Sequence, residues 1–215
     1  MFKTLINTLF RKPQLPRDQF EALRQSMDRP LLEHEIRSLF PIIAPPDFLE
    51  LNWPGFIEPL GDLPFSLTWG VMRENQILAY VSFDTAANWE KSGIDWRNVA
   101  LDNLKRITDA EPASHEFRDD DGRLFCHVLI NEDTFGPSRL LIPHLFENKF
   151  GPDYRCAIPE RSCAIVYQAE LTGAQRAKVD EIIQGCFDIG TAPMSPEHFE
   201  ARRFWVLQGQ EQEAK

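Results

Sequence analysis

At 215 residues, with 43% hydrophobic and 11% aromatic content, the chain is long and apolar enough to bury a substantial core, which argues against global disorder. A formal net charge of −10 and a pI near 5.0 argue against nucleic acid or an anionic membrane as the main partner and suit a basic protein instead. No apolar run approaches the roughly 18–20 residues that cross a bilayer, so no transmembrane segment is expected.

In "MFKTLINTLFRKP", Phe2, Leu5, Ile6, Leu9 and Phe10 recur at helical spacing, with Lys3, Arg11 and Lys12 on other faces. The stretch has neither the continuous apolar run nor the small-residue cleavage site of a secretion signal, and it reads as a short amphipathic helix. Such a helix can dock on its own domain, on a second subunit (a route to oligomerisation) or on a membrane surface. "RDQFEALRQSMDRP" predicts a second helix, capped by Asp18 and stopped before Pro30, and "LLEHEIRSLF" a third. These helices make residues 1–45 an N-terminal helical segment. The main domain is expected over 46–208 and a frayed tail over 209–215. "PIIAPPDFLELNWPGFIEPLGDLP", rich in proline and apolar residues, is expected to be irregular but packed.

The clearest strand signal is "FSLTWGVMRENQILAYVSF". Leu67, Trp69 and Val71 alternate before "RENQ", and the alternation resumes over 77–82, as in a hairpin. Asp84 or Thr85 then opens a helical region. In it, Trp96, Val99, Ala100, Leu104 and Ile107 form one apolar face, with Asp95 as the cap. A second hairpin is expected in "HEFRDDDGRLFCHVLI", turning at Asp121-Gly122. Ser138 is expected to cap a helix through "RLLIPHLFENKF", kinked at Pro143. "YRCAI" and "SCAIVYQ" read as short strands broken at Pro159, the second buried on both faces. Thr172 and Gln175 make a capping box for a helix with a stripe of Ala174, Ala177, Val179, Ile182, Ile183, Cys186 and Phe187. "SPEHFEARR" is read as a last helical turn and "RFWVLQ" as a last strand. Hairpins mixed with helices, without strict alternation, predict an α+β fold with a mostly antiparallel sheet packed against helices.

The chemistry-bearing residues give no motif. Ser138 lacks the Gly-x-Ser-x-Gly turn of a hydrolase serine. The four cysteines, at 126, 156, 163 and 186, lie in apolar segments and read as reduced, buried packing residues of a cytoplasmic protein. Cysteine and histidine spacings match no metal site, and neighbouring strand residues such as Cys126 and His127 face opposite ways. "RDDDGR" is followed by an apolar strand that lacks calcium ligands, and the glycines at 136, 151 and 173 stand singly, not in a phosphate loop. No metal and no cofactor is therefore predicted. Arg161, in the turn "IPERS", can hold a carboxylate or phosphate through paired hydrogen bonds, and with His144 it lacks a structural assignment.

"NVALDNL" (98–104) resembles an Ala-x-x-Asn-hydrophobic helix, and "SRLLIPHLF" followed by "AIPERS" resembles a helix and Ile-Pro-x-Arg-Asp turn, of a bacterial family of unknown function typified by the YtpQ protein. Asn103, Ser138, Pro159 and Arg161 are the matching positions, whereas Ser162 stands where that family has Asp. The resemblance adds Asn103 to Arg161 and His144 as a binding candidate and implies no activity.

Two functions follow. The preferred one is a non-catalytic protein-binding domain, of accessory, inhibitor or immunity type. It rests on the acidic balance, on Trp53, Trp89 and Trp205 as exposed aromatic candidates, and on the missing catalytic motif. The alternative is a hydrolase-like enzyme whose site is assembled from dispersed groups such as His127, His144, Arg161 and carboxylates.

Overall fold

The computed structural model describes residues 31–45, 55–73, 78–110, 115–130 and 134–207. These fall into two compact units, divided after Ala110, each with its own sheet. The helices expected over 1–30, including the one offered for oligomerisation, lie outside the described residues, as do Trp53 and the tail over 209–215.

Strand β3 (Ser66–Met72) is the spine of the first unit. Along one edge it pairs antiparallel with β1 (Leu39–Ala44), from Leu39 opposite Val71 to Ala44 opposite Ser66. Its other edge is shared end to end by β2 (Ile57–Pro59) and β4 (Leu78–Tyr80). Both faces of β3 are buried, so the alternation of Leu67, Trp69 and Val71 marks one of two covered faces. The β3–β4 hairpin forms as expected, but most of its turn lies outside the described residues. Helix α1 (Phe83–Lys91) starts earlier than expected, because the Ser82 hydroxyl oxygen accepts from the Thr85 N–H and caps it. Helix α2 (Trp96–Ala110) begins after Asp95, whose carboxylate accepts from the Asn98 N–H. Trp96 meets Trp69 edge-on with ring centroids 4.8 Å apart, and Ala100 and Leu104 complete the buried face.

Two expectations are corrected here. "LLEHEIRSLF" forms a 3-10 turn at Glu33–Ser38 and then enters β1. The "PIIA" that follows, expected to be irregular, is strand. Among the described residues β1 pairs on one side only, and proline is accepted on such an edge strand, where a missing N–H can face away from the ladder. Residue 45, the expected domain boundary, directly follows this strand.

The second unit has five antiparallel strands in the order β5-β6-β8-β7-β9, with β5 at His115–Arg118, β6 at Leu124–Ile130, β7 at Arg155–Glu160, β8 at Cys163–Tyr167 and β9 at Phe199–Glu200. β8 is central and buried throughout, as its unbroken apolar run predicts. The β5–β6 hairpin turns at Gly122 (φ +79°), with Asp119 accepting from the Asp121 and Arg123 N–H groups. A short helix, α3 (Glu147–Phe150), precedes β7, and α4 (Gly173–Ile189) follows β8. The Thr172–Gln175 capping box starts α4, and Val179, Ile182, Ile183 and Cys186 pack on Cys126, Val128, Ala157, Cys163, Ile165 and Tyr167. Ala174 and Ala177, expected in this stripe, are exposed.

The long helix expected after Ser138 does not form. A 3-10 turn spans Pro137–Leu141, with Ser138 buried inside it and no side-chain cap. Pro143 and then His144 (φ +60°) end the helical path before α3. The C-terminal order is also reversed. "SPEHFE" runs extended into β9, and Ala201–Phe204 is a 3-10 turn in place of a strand.

Gly136 is where β6, the 3-10 turn and the β7–β8 turn crowd together. A Cβ there would sit on the Leu129 carbonyl oxygen and 2.9 Å from the Ser162 carbonyl oxygen. Both obstacles are backbone, so Gly136→Ala is expected to lower stability by about 3 kcal/mol, read as a shift in urea midpoint at unchanged slope. A loss below about 0.5 kcal/mol would show that the approach is loose.

With helices and antiparallel sheets in both units, the α+β expectation holds. Among the described residues, no helix is long and apolar enough to cross a membrane.

Candidate functional site

The three binding candidates from sequence have different surroundings. Asn103, on α2, is 8% exposed, and its Nδ2 donates to the carbonyl oxygens of Ile36 and Leu39, each at 3.0 Å. Its Oδ1 accepts from Arg106 at 3.3 Å. These bonds tie the 3-10 turn and the start of β1 to α2, a complete structural role. His144 and Arg161 belong to the second unit and occupy different turns. His144 is exposed, its Nδ1 lies 2.6 Å from a Glu147 carboxylate oxygen, and its ring tilts over Trp205 with centroids 5.0 Å apart. Arg161 is exposed in the β7–β8 turn, where its N–H donates to the Ala192 carbonyl oxygen.

Beside Arg161 stands Glu160, a carboxylate that is 3% exposed. It accepts from the Ser162 N–H at 2.7 Å, the Ser162 hydroxyl at 2.6 Å and the Ala192 N–H at 3.3 Å. Met194 and Ser195 then donate their N–H groups to the carbonyls of Pro159 and Ile158. Glu160 is thus the staple that fixes the chain leaving α4 onto the end of β7.

His127, at 1% exposure, is the opposite case: among the described residues neither ring nitrogen has a hydrogen-bond partner. It faces away from Cys126 and Val128, edge-on to Phe146 with centroids 6.0 Å apart. Burial, with a smaller contribution from Lys149, holds its imidazole down at about 4, so it is neutral in the fold.

One hydrogen-bonded chain joins residues distant in sequence. The buried Tyr167 hydroxyl lies 2.5 Å from His198 Nδ1, and His198 Nε2 lies 3.4 Å from Asp180 on α4. With the Nε2 proton directed at Asp180, Nδ1 accepts from the tyrosine. Burial raises the Tyr167 hydroxyl above its usual range and, with Arg176 and Arg155, lowers the His198 imidazole against the pull of Asp180. A nearby cleft of about 140 Å³ is lined by Tyr154, Arg155, Glu200 and Arg202. Three of its charged groups pair with one another, Glu200 lying 3.5 Å from Arg155 and 2.7 Å from Arg202, and Asp153 on the same lining is exposed. All four thiols are buried, and burial raises those of Cys126 and Cys156. Among the described residues, no group of three or more His, Cys, Asp or Glu can hold a metal ion.

The first unit carries the aromatic surface feature. Phe56 is anchored by backbone, its N–H donating to Val81 and its carbonyl accepting from the Thr68 hydroxyl. The Ser82 cap places Phe83 at the first position of α1, where it is 54% exposed and 5.1 Å from Phe56 between ring centroids. Phe56 also packs edge-on to Trp96 at 5.6 Å. Arg97 covers both rings, its guanidinium 4.1 Å from the Trp96 centroid and 5.3 Å from that of Phe56. The same guanidinium is held by Glu90 at 2.9 Å and Glu58 at 3.7 Å. Phe83 and Phe56 thus form an apolar pair beside an Arg97 that Glu58 and Glu90 hold, and Asp84, next to Phe83 in α1, is exposed. Trp89, an exposed aromatic candidate from sequence, is instead buried, 6.2 Å from Trp96. Trp205, the other described tryptophan of that group, is half-buried.

Compared with known proteins, this chain matches no family model, no curated protein and no solved structure.

Proposed function

We propose that this chain is a non-catalytic protein-binding domain that engages a basic partner through the Phe83 face of its first unit. The observation that carries this reading is the exposure of Phe83 where it packs on Phe56, with the exposed Asp84 next to it and Glu58 and Glu90 on the adjoining Arg97. Aromatic and arginine side chains dominate interface energetics when held rigidly at the centre of a patch. The acids Asp84, Glu58 and Glu90 steer a cationic surface towards that anchor, in keeping with the net charge of −10. Accessory, inhibitor and immunity-type roles all use such a face. Cytoplasmic residence, with reduced thiols, belongs to the same reading.

Because Phe83 is exposed, Phe83→Ala is expected to change stability by less than about 0.5 kcal/mol. It should weaken partner binding by about 30-fold, the effect of about 2 kcal/mol at a hot spot. The check is affinity capture from native extract with wild-type and Phe83→Ala baits, identification of the recovered protein by mass spectrometry, and titration of that purified protein. Equal recovery on both baits would remove the Phe83 face from the interface.

The hydrolase-like alternative draws on the Asp180–His198–Tyr167 chain beside Arg155 and Glu200, a convergence of histidine, arginine and carboxylates. The tyrosine end of this chain is buried at 0% exposure and the flanking charges are mutually paired, so binding is the better-supported reading.

A further inference from the structure

Cys163 on β8 and Cys186 on α4 face each other across the core between sheet and helix, sulfur to sulfur at 4.0 Å. They are 0% and 2% exposed, among Val128, Ile165, Val179, Ile182 and Ile183. A disulfide needs its sulfurs about 2.05 Å apart, so closure takes about 2 Å of movement, which side-chain rotation and a small shift of the helix can share. Cys186 lies in the last turn of α4, where the Gly190 N–H closes on its carbonyl oxygen. Helix ends open more readily than helix middles, and such opening admits a small oxidant.

We propose that Cys163 and Cys186 are an oxidative modification site, closing to an intrachain disulfide that pins α4 to β8. Their roles are unequal. In the proposed reaction Cys163 donates its S–H to the Cys186 sulfur at 4.0 Å, with the Ala164 carbonyl oxygen as a second acceptor at 4.0 Å, and Cys186 acts as the thiolate. The Cys163–Cys186 hydrogen bond lowers the Cys186 thiol against the opposing effect of burial, while the same bond and then burial raise that of Cys163. Of the other thiols, Cys126 is pushed up to about 12 by burial, and Cys156 directs its S–H at the Phe199 carbonyl oxygen.

With hydrogen peroxide as the oxidant, the Cys186 thiolate attacks one peroxide oxygen. The O–O bond breaks, a sulfenic acid forms, and the hydroxide released takes the Cys163 proton to become water. The Cys163 thiolate then attacks the Cys186 sulfur, the S–S bond forms, and hydroxide leaves to take up the proton first lost by Cys186. Two thiols are oxidised by two electrons and one peroxide is reduced to two waters.

The test treats the native full-length chain with hydrogen peroxide, quenches with a thiol-blocking reagent under denaturing conditions, and maps the peptides. Two of the four cysteines are expected to be lost to labelling, with one cross-linked peptide pair containing Cys163 and Cys186. The Tm should rise by about 5 °C or more and return on reduction with dithiothreitol. Cys126→Ala is expected to keep the cross-link and the rise, and Cys186→Ala to abolish both. Retention of all four thiols, overoxidation without a cross-link, or a bridge through Cys126 or Cys156 would overturn the proposal. Because the wild-type peptide map decides the pairing alone, a poorly folding variant leaves the test intact.

Discussion

Replacing Glu160 by alanine is expected to lower stability by about 3 kcal/mol, among the largest effects of any single substitution here. The carboxylate is buried and accepts from three donors, the N–H and hydroxyl of Ser162 and the N–H of Ala192. Alanine removes the acceptor and leaves those donors without their bonds at a site that water reaches poorly. Glu160→Gln tests the charge separately. It keeps one oxygen for Ser162 but turns an amide N–H towards another N–H, so a loss of about 2 kcal/mol is expected. Urea unfolding followed by circular dichroism measures both, and amide exchange at Met194 and Ser195 reports the same loss locally, because those N–H groups bond to Pro159 and Ile158. If Glu160→Ala shifted the midpoint by less than the equivalent of about 0.5 kcal/mol, the staple would not be holding the segment after α4.

The second large effect concerns acid. His127 ionises near 6.5 when unfolded and near 4 in the fold, where burial disfavours its charged form. Between these values the unfolded chain binds the proton more readily, so stability rises with pH across that window. The contribution is complete above pH 6.5 and is lost as pH falls towards 4, for a total of about 3 kcal/mol. His198, also lowered mainly by burial, adds to the limb in the same direction. Comparison with His127→Leu isolates the first effect. Leucine is close in volume and puts no unpaired polar atom in the core, so the variant should match or exceed wild type at pH 7.5. Between pH 6.5 and 5 its stability should fall distinctly less than that of wild type. Parallel profiles in that window would mean that the folded imidazole has a proton partner in solution.

How legible these features were depended on how local their causes are. The α4 capping box, the β5–β6 hairpin and the burial of β8 follow from neighbouring residues, and all were readable. The apolar spacing of "LLEHEIRSLF" fits a helix and the prolines after it suggest an irregular run, whereas pairing with β3 (32 residues on, from Leu39 to Val71) makes Leu39–Ala44 strand. The helix after Ser138 failed for a related reason. Proline at 143 and a positive φ at His144 stop it, and only the proline is visible in sequence.

The candidate site was less legible than the fold. Phe83 was hidden because the helix start was placed at Asp84 or Thr85. Recognising Ser82 as the cap puts Phe83 at the first helical position, outside the buried stripe. Glu160 left a faint mark, an acid closing a buried apolar strand. Tyr167 and His198 left none, since 31 residues separate them and each alone suits an ordinary position. Arg161 stood out in sequence for its turn, but the buried group of that turn is its neighbour Glu160.

The central claim, recognition of a basic partner on the Phe83 face, is tested most directly by calorimetric titration of the purified captured partner. Wild type, Phe83→Asp and the rim variant Glu58→Gln/Glu90→Gln would be compared at two salt concentrations. The account predicts wild-type binding that weakens with salt, more than about 100-fold loss for Phe83→Asp with unchanged Tm, and a reduced salt dependence for the rim variant. Undiminished binding by Phe83→Asp at both salt concentrations would contradict it and move the interface elsewhere on the chain.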